Sequence, residues 1–151
     1  MTFLLAVDPG ISSGWSIWAT DGTLLECSAG PAAPVESAPV KSAVIECPQV
    51  YPGPREADPN DLIKLALQTG GYKYALEKRG IDVLLVKPRV WKGQVPKQVH
   101  HPRILASVRT DAERLLITRA AARLTTAKAR GDMIDAVGLG LWYFRSGQGA
   151  K

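Results

Sequence analysis

The segment GDMIDAVGLGLWYF, residues 131–144, constrains this chain more than any other stretch: an apolar run of helical character with Asp132 and Asp135 three positions apart near its start. Positions three apart on a helix are neighbours, so both carboxylates look the same way. One reading is local. Asp132 caps the helix and Asp135 sits in its first turn, where exposed N–H groups and the dipole favour carboxylates. The other is chemical: the pair holds a divalent cation, and further carboxylates must then arrive from distant parts of the chain.

Candidates are present. TFLLAVD reads as a buried strand ending in Asp8, PGISSG as a turn, and WSIWAT-DG-TLLECSA as two alternating segments around a hairpin signal. Residues 2–29 thus read as three consecutive antiparallel strands. Residues 30–41, rich in Pro and Ala, read as a loop. SAVIECP is another short buried strand with Glu46 at its tip, and QVYPGPREADP is a long Pro-laden loop of a kind that often carries function. Asn60 is the expected cap of a helix through Leu62, Leu65, Ala66, Ala75 and Leu76, kinked around Gly70–Gly71 and stopped at Gly80.

IDVLLVKP reads as a fifth strand, buried on both faces. A basic loop follows over residues 89–104. Thr110 and Glu113 form a capping box for the next helix, with Arg114, Arg119 and Arg123 on its solvent face and Leu115, Leu116 and Leu124 packed. The last helix is expected over Asp132–Tyr143. The order β-β-β-β-α-β-α-α predicts an α/β fold with a mixed five-stranded sheet, three antiparallel strands then two parallel, flanked by helices. A length of 151 residues suits one domain over 1–151.

In open α/β sheets, sites form outside the carboxyl ends of the strands. If the strands ending in Asp8 and Glu46 are parallel neighbours, their acids lie side by side, and the last helix can bring Asp132 and Asp135 to the same rim. Four carboxylates gathered so closely repel by several kcal/mol at ~4 Å unless cations sit among them. Hard oxygen ligands suit Mg²⁺ or Mn²⁺, and two such ions ~4 Å apart activate a water and stabilise the leaving oxygen of a phosphodiester.

Charge points the same way. Residues 1–86 carry six Lys/Arg against ten Asp/Glu, residues 87–151 thirteen against four, so the halves stand at −4 and +9. Such asymmetry indicates a polyanion bound by the second half, nucleic acid first among them. Lys87, Arg89, Lys92 and Lys97 cluster around Trp91, either as phosphate contacts beside an aromatic platform or as a solvated face with Trp91 in the core. His100 and His101 lack the partners of a zinc site and suit phosphate contact or an ordinary loop. Trp15, Trp18 and Trp142 read as core or interface aromatics. Cys27 and Cys47 read as small reduced core residues. With no apolar run of ~20 residues and no basic leader, an intracellular, cytoplasmic chain away from membranes is expected.

AVDPGISSGWSIW, AVIECPQVY and DMIDAVGLGLW resemble, in order, the acidic motifs of the RuvC-type Holliday-junction resolvases of the ribonuclease H-like superfamily, in the compact form that some bacteriophages carry. NDLIKLALQTGG is similar to the segment after their second acidic motif, and VKPRVWKGQVPKQVHH to their basic stretch, so the likeness spans nearly the whole chain. It implies that Asp8, Glu46, Asp132 and Asp135 are metal-binding catalytic acids, that Lys92 and Lys97 are the functional basic residues, and that Tyr51 falls near an aromatic used against junction bases. It further implies a Mg²⁺-dependent endonuclease, with Mn²⁺ as substitute, two ions per site, and a homodimer that nicks opposing strands of a four-way DNA junction. An RNA–DNA hybrid or structured RNA is the alternative substrate, and a non-cleaving binder of branched DNA the alternative role. One departure stands out: the family usually has a helix between its third and fourth strands, and residues 30–41 are too short and Pro-rich for it.

Overall fold

In the computed structural model, which describes residues 3–51 and 58–148, five strands form one mixed sheet in the order β3-β2-β1-β4-β5. β1 (Phe3–Asp8), β2 (Ser13–Ala19) and β3 (Leu24–Gly30) make an antiparallel meander; β4 (Ser42–Glu46) and β5 (Asp82–Val86) extend the sheet in parallel from β1. This is the mixed sheet, three antiparallel strands then two parallel, expected from the order of elements, in the ribonuclease H-like arrangement that the resemblance implies. Helix α1 (Pro59–Lys78) crosses one face between β4 and β5. The short α2 (Pro88–Trp91), α3 (Lys97–Ser107), α4 (Asp111–Arg123) and α5 (Ala127–Arg145) cover the other.

Period-two alternation sorts the strands between two cores. Leu4, Ala6 and Val44 pack with Trp18, Met133 and Val137 on the α5 side; Leu5, Val7 and Ile45 pack with Tyr72, Leu76 and Ile81 on the α1 side. Helices on both faces are why β1 and β4 read as unbroken apolar runs. The same alternation aims the acids. Asp8 is in step with Leu4 and Ala6, and Glu46 with Val44, so both leave the sheet on the α5 side.

Helix α5 lies against β2 with almost no space between them. Gly14, Ser16 and Trp18, alternate residues of β2, meet Asp132, Ala136 and Gly140, spaced by fours on α5. A Cβ on Gly14 would fall 1.9 Å from the Asp132 carbonyl oxygen, and one on Gly140 2.2 Å from Trp18 Nε1. Between them, Ser16 Oγ donates to the Ala136 carbonyl at 2.9 Å and accepts from Trp18 Nε1 at 2.8 Å. Two strand residues advance ~6.7 Å and four helix residues ~6 Å, so the three contacts stay nearly in step. Asp8 pairs with Gly14 in the sheet, and Asp132 stands over Gly14, so the helix delivers its acids to the end of β1.

Several local expectations are corrected. Helix α5 starts at Ala127, capped by Thr126, whose side chain accepts from the Ala129 N–H at 3.0 Å; Asp132 is therefore not a cap and Asp135 not in the first turn. Asp58, not Asn60, caps α1, with Pro59 opening the helix where its missing N–H costs nothing. The same helix continues unbroken through Gly70–Gly71, anchored by Thr69, Tyr72 and Leu76 around them. The basic loop contains α2 and α3, both opened by prolines, and α3 carries Pro102 inside.

Strand β5 is an edge strand with Leu85 38% exposed, so its apolar run is not covered on both faces. Leu115 lies on the solvent side of α4 with Arg114, Arg119 and Arg123, while Leu116 and Leu124 pack. The capping box of α4 forms as expected, and the Glu113 carboxylate also accepts from Leu24 N–H at 2.9 Å, tying α4 to β3. Residues 31–41 contain no helix. Trp18 is buried in the core on the α5 side with Trp142 partly packed against that cluster, whereas Trp15 packs in part against the α1-side core. Both cysteines are free, Cys27 buried and Cys47 half-buried. Among the described residues no helix is long and apolar enough to cross a membrane.

Candidate active site

Asp8 from β1 and Asp132 and Asp135 from α5 each offer a carboxylate oxygen, all within 4.8 Å of one another. All three are buried, Asp135 almost completely. Glu46 stands at the neighbouring tip of β4, outside that trio. Its Oε2 accepts from the indole Nε1 of Trp91 at 2.7 Å and faces Lys92 Nζ at 3.2 Å. The loop after Asp8 is held from α1: Gln68 Nε2 donates to the Gly10 carbonyl at 2.9 Å, and Ser13 Oγ shares a 2.8 Å hydrogen bond with Tyr72.

Three of the four acids carry one lysine each. Lys92 pairs with Glu46, Lys97 with Asp135 at 3.3 Å, and Lys128 with Asp132 at 2.8 Å; His101 Nε2 lies 2.9 Å from the other oxygen of Asp135. Asp8 has no ion pair among the described residues. Burial pushes its carboxyl well above the usual range, and Glu46, Asp135 and Asp132 push it further than Lys92 can offset. Glu46 is raised as well, chiefly by burial, against the lowering pull of Lys92 and the Trp91 N–H. Burial acts to lower Lys92, yet Glu46, Asp135 and Asp8 together hold its ammonium above the ordinary value. A compact, buried, oxygen-only donor set with excess negative charge is what a hard divalent cation requires. The residues fit such an ion.

The basic segment is divided in its roles. Trp91 is buried in the core with its Nε1 committed to Glu46, so it orients an acid and is not an aromatic platform for bases. Lys92 lies over the Trp91 ring, 5.0 Å from its centroid. His100 turns inward against Trp91 at 5.2 Å between ring centroids, its Nε2 buried and its pKa lowered by that burial, so this nitrogen does not reach a phosphate. Lys87 and Arg89 are exposed around α2, and Tyr51 is exposed beyond the end of β4. Lys128, absent from the candidates drawn from sequence, is signalled there only by its K-x-x-x-D spacing to Asp132. The link from His101 to Asp135 had no local signal, since it depends on α3 existing.

No protein-family model matches the chain, and no curated protein matches it in sequence. Solved structures do. RuvC of Thermus thermophilus in complex with a Holliday junction substrate superposes with a TM-score of 0.55 at 15% identity, covering 97% of both chains. Fowlpox virus resolvase with its substrate Holliday junction DNA gives 0.59 at 16% identity, over 96% of this chain and 98% of that one. The chain shares with these structures a ribonuclease H-like fold, a mixed five-stranded sheet flanked by helices. A second Thermus thermophilus RuvC structure agrees, with a TM-score of 0.52 at 16% identity and 97% of each chain. At such identities the likeness is one of fold. In the ribonuclease H-like frame, Asp8 and Glu46 end adjacent parallel strands and the closing helix bears the remaining pair.

Proposed function

We propose that this protein is a divalent-metal-dependent endonuclease that cuts branched DNA, four-way junctions above all, by phosphodiester hydrolysis. The observation that carries the reading is the meeting of Asp8, Asp132 and Asp135 within 4.8 Å, buried, at the carboxyl ends of the central strands. Mg²⁺, or Mn²⁺ in its place, two ions to a site, would supply an activated water and charge neutralisation at the leaving oxygen. Asp8, central and without a lysine, would be shared between the ions; Glu46 would hold one; Asp132 and Asp135 would complete the set and orient the attacking water. Trp91 fixes Glu46 in place, and Lys92, held over that indole, would balance charge growing on the scissile phosphate.

Branched DNA is the favoured substrate because two of the superposed proteins were seen with Holliday junction DNA and because the positive half of the chain surrounds the acids. Lys87, Arg89, Lys97 and His101 would contact the backbone, with Tyr51 at the margin. Resolving a junction takes two cuts, hence two chains. The face of α1 that carries Ile63, Leu67 and Tyr74, 57%, 72% and 68% exposed, with Gly70 and Gly71 open between them, suits close helix–helix contact in a homodimer.

A cleavage panel of four-way junction, flap, linear duplex and RNA–DNA hybrid, run with Mg²⁺, with Mn²⁺ and with EDTA, tests this. Paired nicks in the junction, abolished by EDTA, are expected. Preference for the hybrid would move the substrate to RNA–DNA, and full junction binding with no cut in either metal would replace the nuclease by a binding protein.

A further inference from the structure

Beside the acids, between α3 and the first turns of α5, runs a groove of about 570 Å³. Its lining is apolar at Pro102, Ala121 and Ile134, and Lys97, Lys128 and Arg130 give it a cationic rim. Apolar lining beside a cationic rim suits one nucleotide, with sugar or base against the former and phosphates at the latter.

Two of those rim cations are, in this structure, the partners of the candidate metal ligands. Lys97 Nζ sits on Asp135 and Lys128 Nζ on Asp132. Their side chains are 61% and 64% exposed, against 19% for Lys92. Lys92 is held by Glu46 and the Trp91 ring. The other two reach in from solvent on free stems, and each acid they neutralise is one that a divalent ion would claim. A metal ion and an ammonium cannot share those oxygens without repulsion, whereas phosphates in the adjoining groove offer the ammonium groups an equivalent partner.

We propose that Lys97 and Lys128 are exchangeable counterions: they neutralise Asp135 and Asp132 in the metal-free protein, and move to the phosphates of a substrate strand lying in the α3–α5 groove when divalent ions enter. The exchange rests on the nuclease reading above and adds to it a route for the strand and a thermodynamic link between metal and DNA. By reciprocity, each ligand tightens the other. Divalent cations ordinarily weaken protein–DNA contacts by screening, so the coupling has a sign opposite to the background.

The test uses the full chain with Lys97→Gln, Lys128→Gln and both together, and Lys41→Gln at the opposite end of the sheet as the charge control. Calorimetry with Ca²⁺, another hard cation for oxygen donors, should show tighter uptake by roughly 3- to 10-fold per lysine removed. The metal-free double variant should melt lower than wild type. On four-way junction DNA with Ca²⁺, the slope of log K against log salt should fall by ~2 in the double variant, one phosphate per lysine, and stay unchanged in EDTA. Unchanged or weaker Ca²⁺ uptake, or an equal loss of slope with and without metal, overturns the exchange while leaving the nuclease reading in place. A wild type that binds no divalent ion overturns both.

Discussion

Replacing Asp8 by Asn should stabilise the protein when no metal is present, although the residue is buried and its neighbours are fixed. At 4.8 Å and an effective dielectric near 20, two carboxylates repel by ~3.5 kcal/mol, and Asp8 faces both Asp132 and Asp135 at such distances. Lys92, Lys97 and Lys128 offset much of this, and protonation of Asp8 caps the remainder. A net relief of ~2 kcal/mol remains, or ~4–8 °C in Tm for a chain of this size.

The sign with pH follows from linkage. The folded pKa of Asp8 lies well above the ordinary aspartate range, so the native state binds this proton more tightly than the unfolded chain does. The penalty is absent below the unfolded value, grows as pH rises through the folded value, and is complete above it. The gap between variant and wild type in EDTA should therefore be widest at neutral and alkaline pH and close towards pH 4. Millimolar Mg²⁺ reverses the order, because ligand binding raises the wild-type Tm and finds an incomplete site in the variant. Calorimetric melts from pH 4 to 8, with EDTA and with Mg²⁺, decide the matter. A variant that melts with or below wild type in EDTA at pH 8, or keeps the whole Mg²⁺ shift, refutes the reasoning.

Gly14→Ala would set a methyl 1.9 Å from the Asp132 carbonyl; displacing α5 should cost ~3 kcal/mol by denaturant unfolding and weaken divalent binding together with stability. Trp91→Phe keeps most of the packing and removes the N–H that orients Glu46, so single-turnover cleavage should drop ~10-fold with a stability change below ~1.5 kcal/mol. Leu67→Asp on the open face of α1 should, in analytical ultracentrifugation, convert dimer to monomer, and its melting temperature, unlike that of wild type, should no longer rise with protein concentration.

The parts of the fold visible in the sequence are those where a single local rule governs. An acid closing an apolar run marks the ends of β1 and β4, because burial demands the run and the exposed rim admits the charge. The capping box at Thr110 and Glu113 is likewise contained within four residues. The start of α5 is hidden because its first turn, Ala-Lys-Ala-Arg, has no apolar period; none of its four residues is buried. Helix α3 was hidden by Pro96, Pro102 and its charges, all of which signal loop. The exposure of β5 is not legible in its apolar run, because edge and centre are properties of strand order. Within the site, the four acids could be nominated one by one. The lysine partners, the bond from Trp91 to Glu46 and the flush seat of Asp132 over Gly14 depend on α3 and α5 packing across the sheet, which no window of sequence contains.

Anomalous diffraction from crystals soaked in Mn²⁺ tests the central claim most directly. Two peaks ~4 Å apart, in contact with Asp8, Asp132 and Asp135, are expected, with Lys97 and Lys128 turned away. Saturating Mn²⁺ with no peak among these carboxylates, or with the ion seated elsewhere on the molecule, would contradict it.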